Sequence, residues 1–247
     1  MRSRTEYLIA AGVVFLILGL WEAVVRLLHL PPFVLPAPSQ IFLAFARDFP
    51  LLLYHAKATL VEVGLGLGIG TTVGAVVAVL AFYFRPVGKA LTPFLVGSQV
   101  IPIFAVAPLL VLWFGFGIWP KVAVATMIVF FPVAVNFLDG LRSLTPELVE
   151  FFQALGAPEF RIFWMVRVPG ALPFLFSALR VGVTLALVGA TIGEWVGANR
   201  GLGYLMIQAN ARLRLDRVFA AILTLTLLGL GLFWAIGLCE RLFPRRR

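Results

Sequence analysis

Three long stretches of this chain contain no charged residue, and they decide what it can fold into. They are Val63–Phe84, Ala90–Pro120 and Val218–Cys239. Each is longer than the roughly 18–20 residues with which an apolar helix crosses a bilayer. The composition agrees, because 62% of the residues are hydrophobic and 13% are charged, against about 45–50% and about 25% in globular domains. The sequence therefore predicts a polytopic integral membrane protein.

The apolar runs divide into six predicted spans of an all-α fold, in a single membrane domain that covers residues 1–247. The first run follows Arg2 and Arg4, as in a signal peptide, but no clear small-residue cleavage site comes after it, so we expect an uncleaved first helix. The spans are placed at about 8–28, 57–84, 89–116, 120–138, 171–196 and 217–241, with a cytoplasmic loop at about 139–170.

The basic residues gather in loops and at span ends, which accounts for a formal net charge of +9. Lys and Arg at such places orient membrane proteins, with the more basic side in the cytoplasm. Arg2, Arg4 and the triplet 245–247 favour cytoplasmic termini, and Lys121 is counted on the external side, at the start of the fourth span. No basic patch interleaved with aromatic residues lies outside the spans, so we do not expect nucleic-acid binding.

Enzymatic, metal and disulfide chemistry are not expected in this chain. Cys239 is its only cysteine, and His29 and His55 are interpreted as loop residues near the membrane interface. An intramembrane enzyme would need a nucleophile–base pair or a set of metal ligands, and these residues supply neither. We expect no cofactor bound to this chain.

Small residues recur every four positions in the second span, at Gly66, Gly70, Gly74 and Ala78. Helices associate in lipid through close backbone approach at such positions, so the spacing predicts a packing face. The glycines are not a phosphate-binding loop, because no Lys-Ser or Lys-Thr pair follows them, and the chain contains no Walker-type sequence. Any ATP dependence must therefore come from another polypeptide.

Charges, prolines and glycines collect in one short stretch, Glu150–Pro173. Thr145-Pro146 predicts the start of a helix, and Gly156 predicts its end. A second short helix follows and is expected to end at Pro169. The pair should lie on the cytoplasmic face and present the turn at 155–157 outward. On physical grounds alone it is either an interfacial anchor or a docking site for a partner.

This stretch resembles the cytoplasmic signature loop of bacterial ABC importer permeases. That family's pattern is Glu-Ala-Ala, three residues, Gly, nine residues, then Ile-x-Leu-Pro. Here Glu150 begins the pattern, Gly156 follows three residues after Phe152, and nine residues later comes Val166-Arg167-Val168-Pro169. The departure is that Phe151 and Phe152 stand in place of both alanines, which changes the packing surface of the helix.

The resemblance extends over nearly the whole chain and indicates one branch of the family. The matching segments include "LPAPSQI" at Leu35–Ile41, "VAPLLVLWFGFG" at Val106–Gly117 and "GEWVGANRGLGYL" at Gly193–Leu205. They resemble permeases that import nitrate, taurine, aliphatic sulfonates and pyrimidine precursors of thiamine. Ser98–Gly115 and Glu62 are most similar to the vitamin-precursor members.

The resemblance implies a type I importer-like permease in a bacterial or archaeal inner membrane, surrounded by lipid. Two copies of this chain would form a homodimer with two copies of an ATPase subunit, which carry ATP-Mg, and with an extracytoplasmic substrate-binding protein. It also implies that the cytoplasmic turn couples this chain to the ATPase. The residues of this predicted coupling loop are Glu150, Phe151, Phe152, Gln153, Ala154, Leu155, Gly156, Ala157, Pro158 and Pro169.

Polar side chains within the spans are costly unless they face a bundle interior or water. Four of them form one stripe on the fifth span, which is the best candidate for a translocation path. Each is either a path residue or an interhelical hydrogen-bonding group, and Arg180 would suit an anionic substrate or brace the coupling loop. The predicted path residues are Glu62, Ser98, Gln99, Arg180, Thr184, Thr191 and Glu194.

A secondary carrier driven by an ion gradient is the alternative from a different class. It would have no ATPase partner, and such carriers often contain an inverted internal repeat. The two halves of this chain show no convincing repeat.

Overall fold

The computed structural model of the chain is helical along the predicted apolar runs. It describes residues 4–84, 86, 88–90, 93, 97 and 100–242, and within them the regular structure is helical, with no β-strand. A π-helical turn, Phe163–Arg167, joins the short helix Glu159–Ile162 to the long helix Val168–Gly197. The helices are α1 (Arg4–Leu27), α2 (Pro38–Arg47), α3 (Phe49–Tyr83), α4 (Ile103–Phe114), α5 (Trp119–Arg142), α6 (Pro146–Ala154), α7 (Glu159–Ile162), α8 (Val168–Gly197), α9 (Leu202–Ala211) and α10 (Leu215–Leu242).

Four helices of the described part are long and apolar enough to cross a membrane. They are α3, α5, α10 and the continuous unit Glu159–Gly197, which contains α8. They coincide with predicted spans two, four, six and five, and α1 covers the first. The short apolar helix α4 covers only the end of the third predicted span, whose earlier part lies largely outside the described residues. The fold is that of an all-α multi-pass membrane protein, and the count of six spans stays a prediction.

Prolines shift two of the predicted boundaries. The third span is not one continuous helix, because Ile101 and Pro102 are not helical and Pro102 becomes the N-cap of α4. Pro169 does not end the second cytoplasmic helix, since it lies in the first turn of α8 and the chain stays helical through it. The π turn directly before α8 is the kind of local adjustment that lets a helix continue past a proline.

The small-residue ridge on α3 is confirmed as a packing face. A Cβ atom on Gly70 would lie 2.9 Å from Val129 Cβ, and one on Gly74 would lie 2.9 Å from Val133 Cγ1. The same face of α3 therefore lies directly against α5, which also packs along α8. The three helices enclose an apolar core formed by Val63, Val129, Val133, Ala178, Val183, Ala186, Leu187 and Ala190.

A second core joins α2, α9 and α10 to the first turns of α3, and its buried residues include Leu52, Leu202 and Ala221. Helix α2 begins at Pro38, and its N-cap has no side-chain oxygen. The cap is Ala37, whose N–H donates to Gln40 Oε1 at 3.0 Å, while Ser39 Oγ donates to Glu22 of α1 at 2.7 Å. This second core holds α9, the helix that connects α8 to α10.

Candidate functional site

The turn between α6 and α7 is built around Gly156, whose φ is +76°. Its N–H donates to Gln153 O at 2.9 Å, and Ala157 N–H donates to Phe152 O at 3.0 Å. This pair of bonds is the Schellman arrangement that closes a helix with a left-handed residue. No atom lies within 4 Å of where a Cβ would be, so glycine is needed here for its backbone conformation and not for space.

The helices on both sides of this turn expose apolar side chains. Phe151 is 58% exposed, Leu155 68% and Phe160 70%, and α6 contains no buried residue. Within the predicted coupling loop, Phe152 and Ala157 are half-buried and the other residues are exposed. Exposed large apolar side chains around a turn are a common mark of a protein–protein contact, so this surface has the form of a docking site.

The unit 146–167 is fastened firmly to the ends of two spans. Phe163 is 1% exposed and packs against the rings of Phe82 and Tyr83 at the end of α3, with centroids 5.6 Å and 5.0 Å apart. Arg167 Nη1 donates to Leu141 O at 3.2 Å and its guanidinium lies 4.9 Å from the Phe82 ring centroid. A displacement of the turn would therefore be transmitted to both α3 and α5.

A cluster of buried polar side chains lies where α3, α5, α8 and α9 meet. We call it the buried polar cluster, and it contains His55, Thr59, Glu62, Lys121 and Glu194, each 5% exposed or less. Lys121 Nζ donates to Glu62 Oε1 at 2.6 Å, and Thr59 Oγ1 donates to Glu194 Oε1 at 2.6 Å. Buried polar groups need such partners, because an unpaired one loses its hydration without compensation.

The same cluster satisfies the N-terminal amides of α9. Gly201 N–H donates to His55 Nδ1 at 3.0 Å and Leu202 N–H donates to Thr59 Oγ1 at 2.9 Å. Glu194 Oε2 accepts from Gly203 N–H at 2.5 Å and from Tyr204 N–H at 3.3 Å. The first N–H groups of a helix have no partner within the helix, and here side chains of α3 and α8 provide all four.

An apolar cavity of about 600 Å³ opens between α8 and α10. Phe104 of α4 and Met206 of α9 complete its wall, and aromatic side chains also come from Trp195 and Phe233. No charged side chain is among its lining residues in the described part of the chain. Its threonine hydroxyls bond to carbonyls of their own helices, as in the 2.8 Å bond from Thr191 to Leu187 O. The volume suits a small organic molecule.

The predicted path residues fall into separate environments. Thr184 and Thr191 line the cavity, whereas Glu62 and Glu194 belong to the buried polar cluster and do not. Arg180 forms an ion pair with Glu240 of α10. Ser98 and Gln99 lie outside the described residues. Contact of any of these side chains with a substrate stays a prediction.

A group of ion pairs ties the junction of α2 and α3 to the start of α10. Arg217 Nε donates to Asp48 Oδ2 at 2.8 Å, and Arg47 Nη2 donates to Asp216 Oδ2 at 3.2 Å. Burial raises the pKa of Asp48, but hydrogen bonds from Arg47 and Arg217 outweigh it and hold this pKa below its ordinary value of 3.8. The carboxylate stays ionised and keeps the junction in place.

A family model described as "Binding-protein-dependent transport system inner membrane component" matches residues 70–243. The chain belongs to this family. It is a multi-pass inner-membrane permease of the ABC importer class, which moves small solutes. The predicted family and fold class are thereby confirmed.

Three relatives cover most of this permease. A probable ABC transporter permease protein of Haemophilus influenzae is 40% identical and covers 91% of each chain. The formylaminopyrimidine transport permease protein ThiX of Halalkalibacterium halodurans is 39% identical over 94% of this permease and 93% of its own length. The riboflavin transport system permease protein RibX of Chloroflexus aurantiacus is 38% identical over 93% and 87%. Permease proteins for taurine and for aliphatic sulfonates are 30% and 29% identical.

Solved structures share the fold of the permease. A chain of the MetNI methionine ABC transporter in an inward-facing conformation superposes with a TM-score of 0.68. The two chains are 21% identical over 81% of the permease and 99% of the other chain. At this identity the likeness concerns the fold.

Sequence reasoning missed three members of the buried polar cluster, namely His55, Thr59 and Lys121. His55 is not a loop residue, because α3 begins at Phe49 and places it in a buried turn of the helix. Lys121 does lie at the start of the fourth span, in the first turn of α5, but it is 4% exposed and therefore a buried residue instead of a basic group at the membrane surface. The sequence held a signal for His55 and Lys121. Pro50 and Pro120 each suit the first turn of a helix, and helices that begin there contain these two residues. His29 does lie in a turn, as predicted.

Proposed function

We propose that this permease carries a small, flat, uncharged heterocycle of the pyrimidine type, such as a thiamine pyrimidine precursor. The observation that supports it is the cavity between α8 and α10, which combines the rings of Phe104, Trp195 and Phe233 with an uncharged lining. Aromatic rings stack well against a heteroaromatic ligand. An apolar wall offers no compensation for the lost hydration of a sulfonate or nitrate ion.

The pairing of Arg180 also argues against an anionic substrate. It is the predicted path residue that would best suit an anion, but its guanidinium pairs with Glu240 and lies 5.7 Å from the ring centroid of Phe233. Its charge is already compensated at the edge of the cavity. The relatives support the same preference for a heterocycle over an anion, because those named for formylaminopyrimidine and riboflavin are nearer in sequence than those named for taurine and sulfonates.

We propose further that the turn Glu150–Pro158 docks into a separate ATPase subunit that carries ATP-Mg. The support is its exposed apolar surface, the stiff glycine turn and its attachment to the ends of α3 and α5. Two copies of the permease and two ATPase subunits form the transporter, with a substrate-binding protein on the opposite face. Both termini of the permease then lie on the cytoplasmic side, with the turn.

Uptake by the complete transporter tests this function. The permease is reconstituted in proteoliposomes with its ATPase and binding protein, and uptake of radiolabelled formylaminopyrimidine, riboflavin and taurine is measured. We expect uptake of the pyrimidine that vanadate abolishes and a protonophore leaves unchanged. Uptake of taurine with none of the pyrimidine would refute the substrate class. Uptake that is insensitive to vanadate and lost with the protonophore would instead identify an ion-gradient carrier.

A further inference from the structure

The buried polar cluster contains two carboxyl groups and one ammonium group in a site closed to water. Glu62, Lys121 and Glu194 are 2%, 4% and 1% exposed. With all three ionised, the site would hold a net negative charge with no counter-ion among the described residues. An uncompensated charge in such a place is costly, so one carboxyl group is expected to be neutral.

The hydrogen bonds decide which carboxyl group is neutral. Glu194 accepts from three donors, namely Thr59 Oγ1 and the N–H groups of Gly203 and Tyr204, and donors of this kind stabilise an ionised carboxylate. Glu62 accepts from Lys121 through Oε1 alone, and no described donor reaches its buried Oε2. Thr59, one turn before Glu62 on α3, binds Glu194. Lys121, which binds Glu62, packs against Gly193 next to Glu194, so the two carboxyl groups face the same buried space. A proton on Glu62 would let the two groups share a hydrogen bond.

We propose that Glu62 is protonated and donates its proton to the ionised Glu194, and that this neutral triad with Lys121 holds α9 in place. Glu62 then accepts from Lys121 with one oxygen and donates to Glu194 with the other. Glu194 in turn binds the N-terminal amides of α9, beside Thr59 and His55. Every polar atom of the triad's carboxyl groups has a partner in this arrangement.

Holding α9 matters for the cavity, because Met206 of α9 forms part of its wall. Leu202 and Leu205 anchor the same helix in the second core. Glu62 and Glu194 are thus positioning residues that keep the cavity closed on this side. Their part in transport rests on the proposed function, but the protonation pattern and the position of α9 do not depend on it.

Three variants of the purified permease test the proposal, each with Cys239→Ser and Thr191→Cys so that cavity access is measured by the rate of maleimide labelling. Glu62→Gln mimics the protonated acid, since its amide accepts from Lys121 and donates to Glu194. We expect its labelling rate and melting temperature to stay at the reference values. Glu194→Gln and Thr59→Val remove acceptors of α9, and we expect labelling to rise about tenfold or more, as for one lost hydrogen bond to a charged group.

The matched control is Thr72→Val, because the hydroxyl of Thr72 is exposed and bonds only to Gly68 O of its own helix. It should leave labelling unchanged. If Glu62→Gln raises labelling as much as Glu194→Gln, Glu62 is ionised and the shared proton is refuted. If Glu194→Gln and Thr59→Val both leave labelling unchanged, these side chains do not hold α9. Neither outcome depends on which solute is transported.

Discussion

At the scale of single residues, glycine serves two different purposes in this permease. Gly156 has a left-handed backbone and open space around it, so its conformation requires glycine. Gly70 lies in a helix, and α5 leaves no room there for a side chain. Its neighbour Gly68, two positions away on the same helix, has no atom within 4 Å of a Cβ position. The four-residue spacing in the sequence already separates the two, because Gly70 belongs to the predicted packing face and Gly68 does not.

A pair of alanine variants measures this difference. Gly70→Ala should lower the free energy of unfolding by about 1–3 kcal/mol, because its Cβ would overlap Val129 and a backbone oxygen of α5. Gly68→Ala, the control, should leave stability unchanged or slightly higher, since alanine restricts the unfolded chain. Thermal unfolding of the detergent-purified proteins gives both values. Equal melting temperatures for the two variants would contradict the packing of α3 on α5.

At the scale of elements, the structure of the cytoplasmic unit 146–167 depends partly on residues within the unit and partly on its contacts with distant helices. The proline start of α6 and the glycine turn follow from spacing alone, and both are found where the sequence predicts them. The continuity of α7, the π turn and α8 does not follow from spacing, because Pro169 suggests a stop. Phe163, the first residue of the π turn, packs against Phe82 and Tyr83 and so attaches this unit to the end of α3.

Disrupting the turn should separate the permease from its ATPase without unfolding the spans. In a Glu150→Ala, Gly156→Trp double variant, the tryptophan is strained at positive φ by about 1–2 kcal/mol and blocks the docking surface. We expect loss of ATPase co-purification and of uptake, with an unchanged circular dichroism spectrum. Glu147→Ala, on the same helix but outside the predicted coupling loop, is the control. Normal co-purification and uptake in the double variant would show that docking occurs elsewhere.

At the scale of the whole molecule, the cavity brings together helices that are distant in the chain. Phe104, Thr191, Met206 and Phe233 come from α4, α8, α9 and α10. The proposed transport path therefore depends on how these helices pack. A substrate that occupies the cavity should shield its wall from reagents in solution.

Cysteine protection checks this placement in the assembled transporter. In the Cys239→Ser background, formylaminopyrimidine should slow maleimide labelling of Thr191→Cys several-fold, because Thr191 lines the cavity. Labelling of Thr72→Cys should be unaffected, because Thr72 is an exposed residue of α3 that does not line it. Equal labelling of Thr191→Cys with and without the pyrimidine would place the substrate elsewhere.

The sequence by itself determined the class of molecule, the course of most helices, the small-residue face and the glycine turn. These features depend on runs, spacing and turn chemistry within a few residues. Only the tertiary structure decided what the buried charges do. Thr59 and Glu194 are 135 positions apart, and Glu62 and Lys121 are 59 apart. Spacing within one helix tells which face a side chain occupies, but the partner of that face is set by how the helices pack.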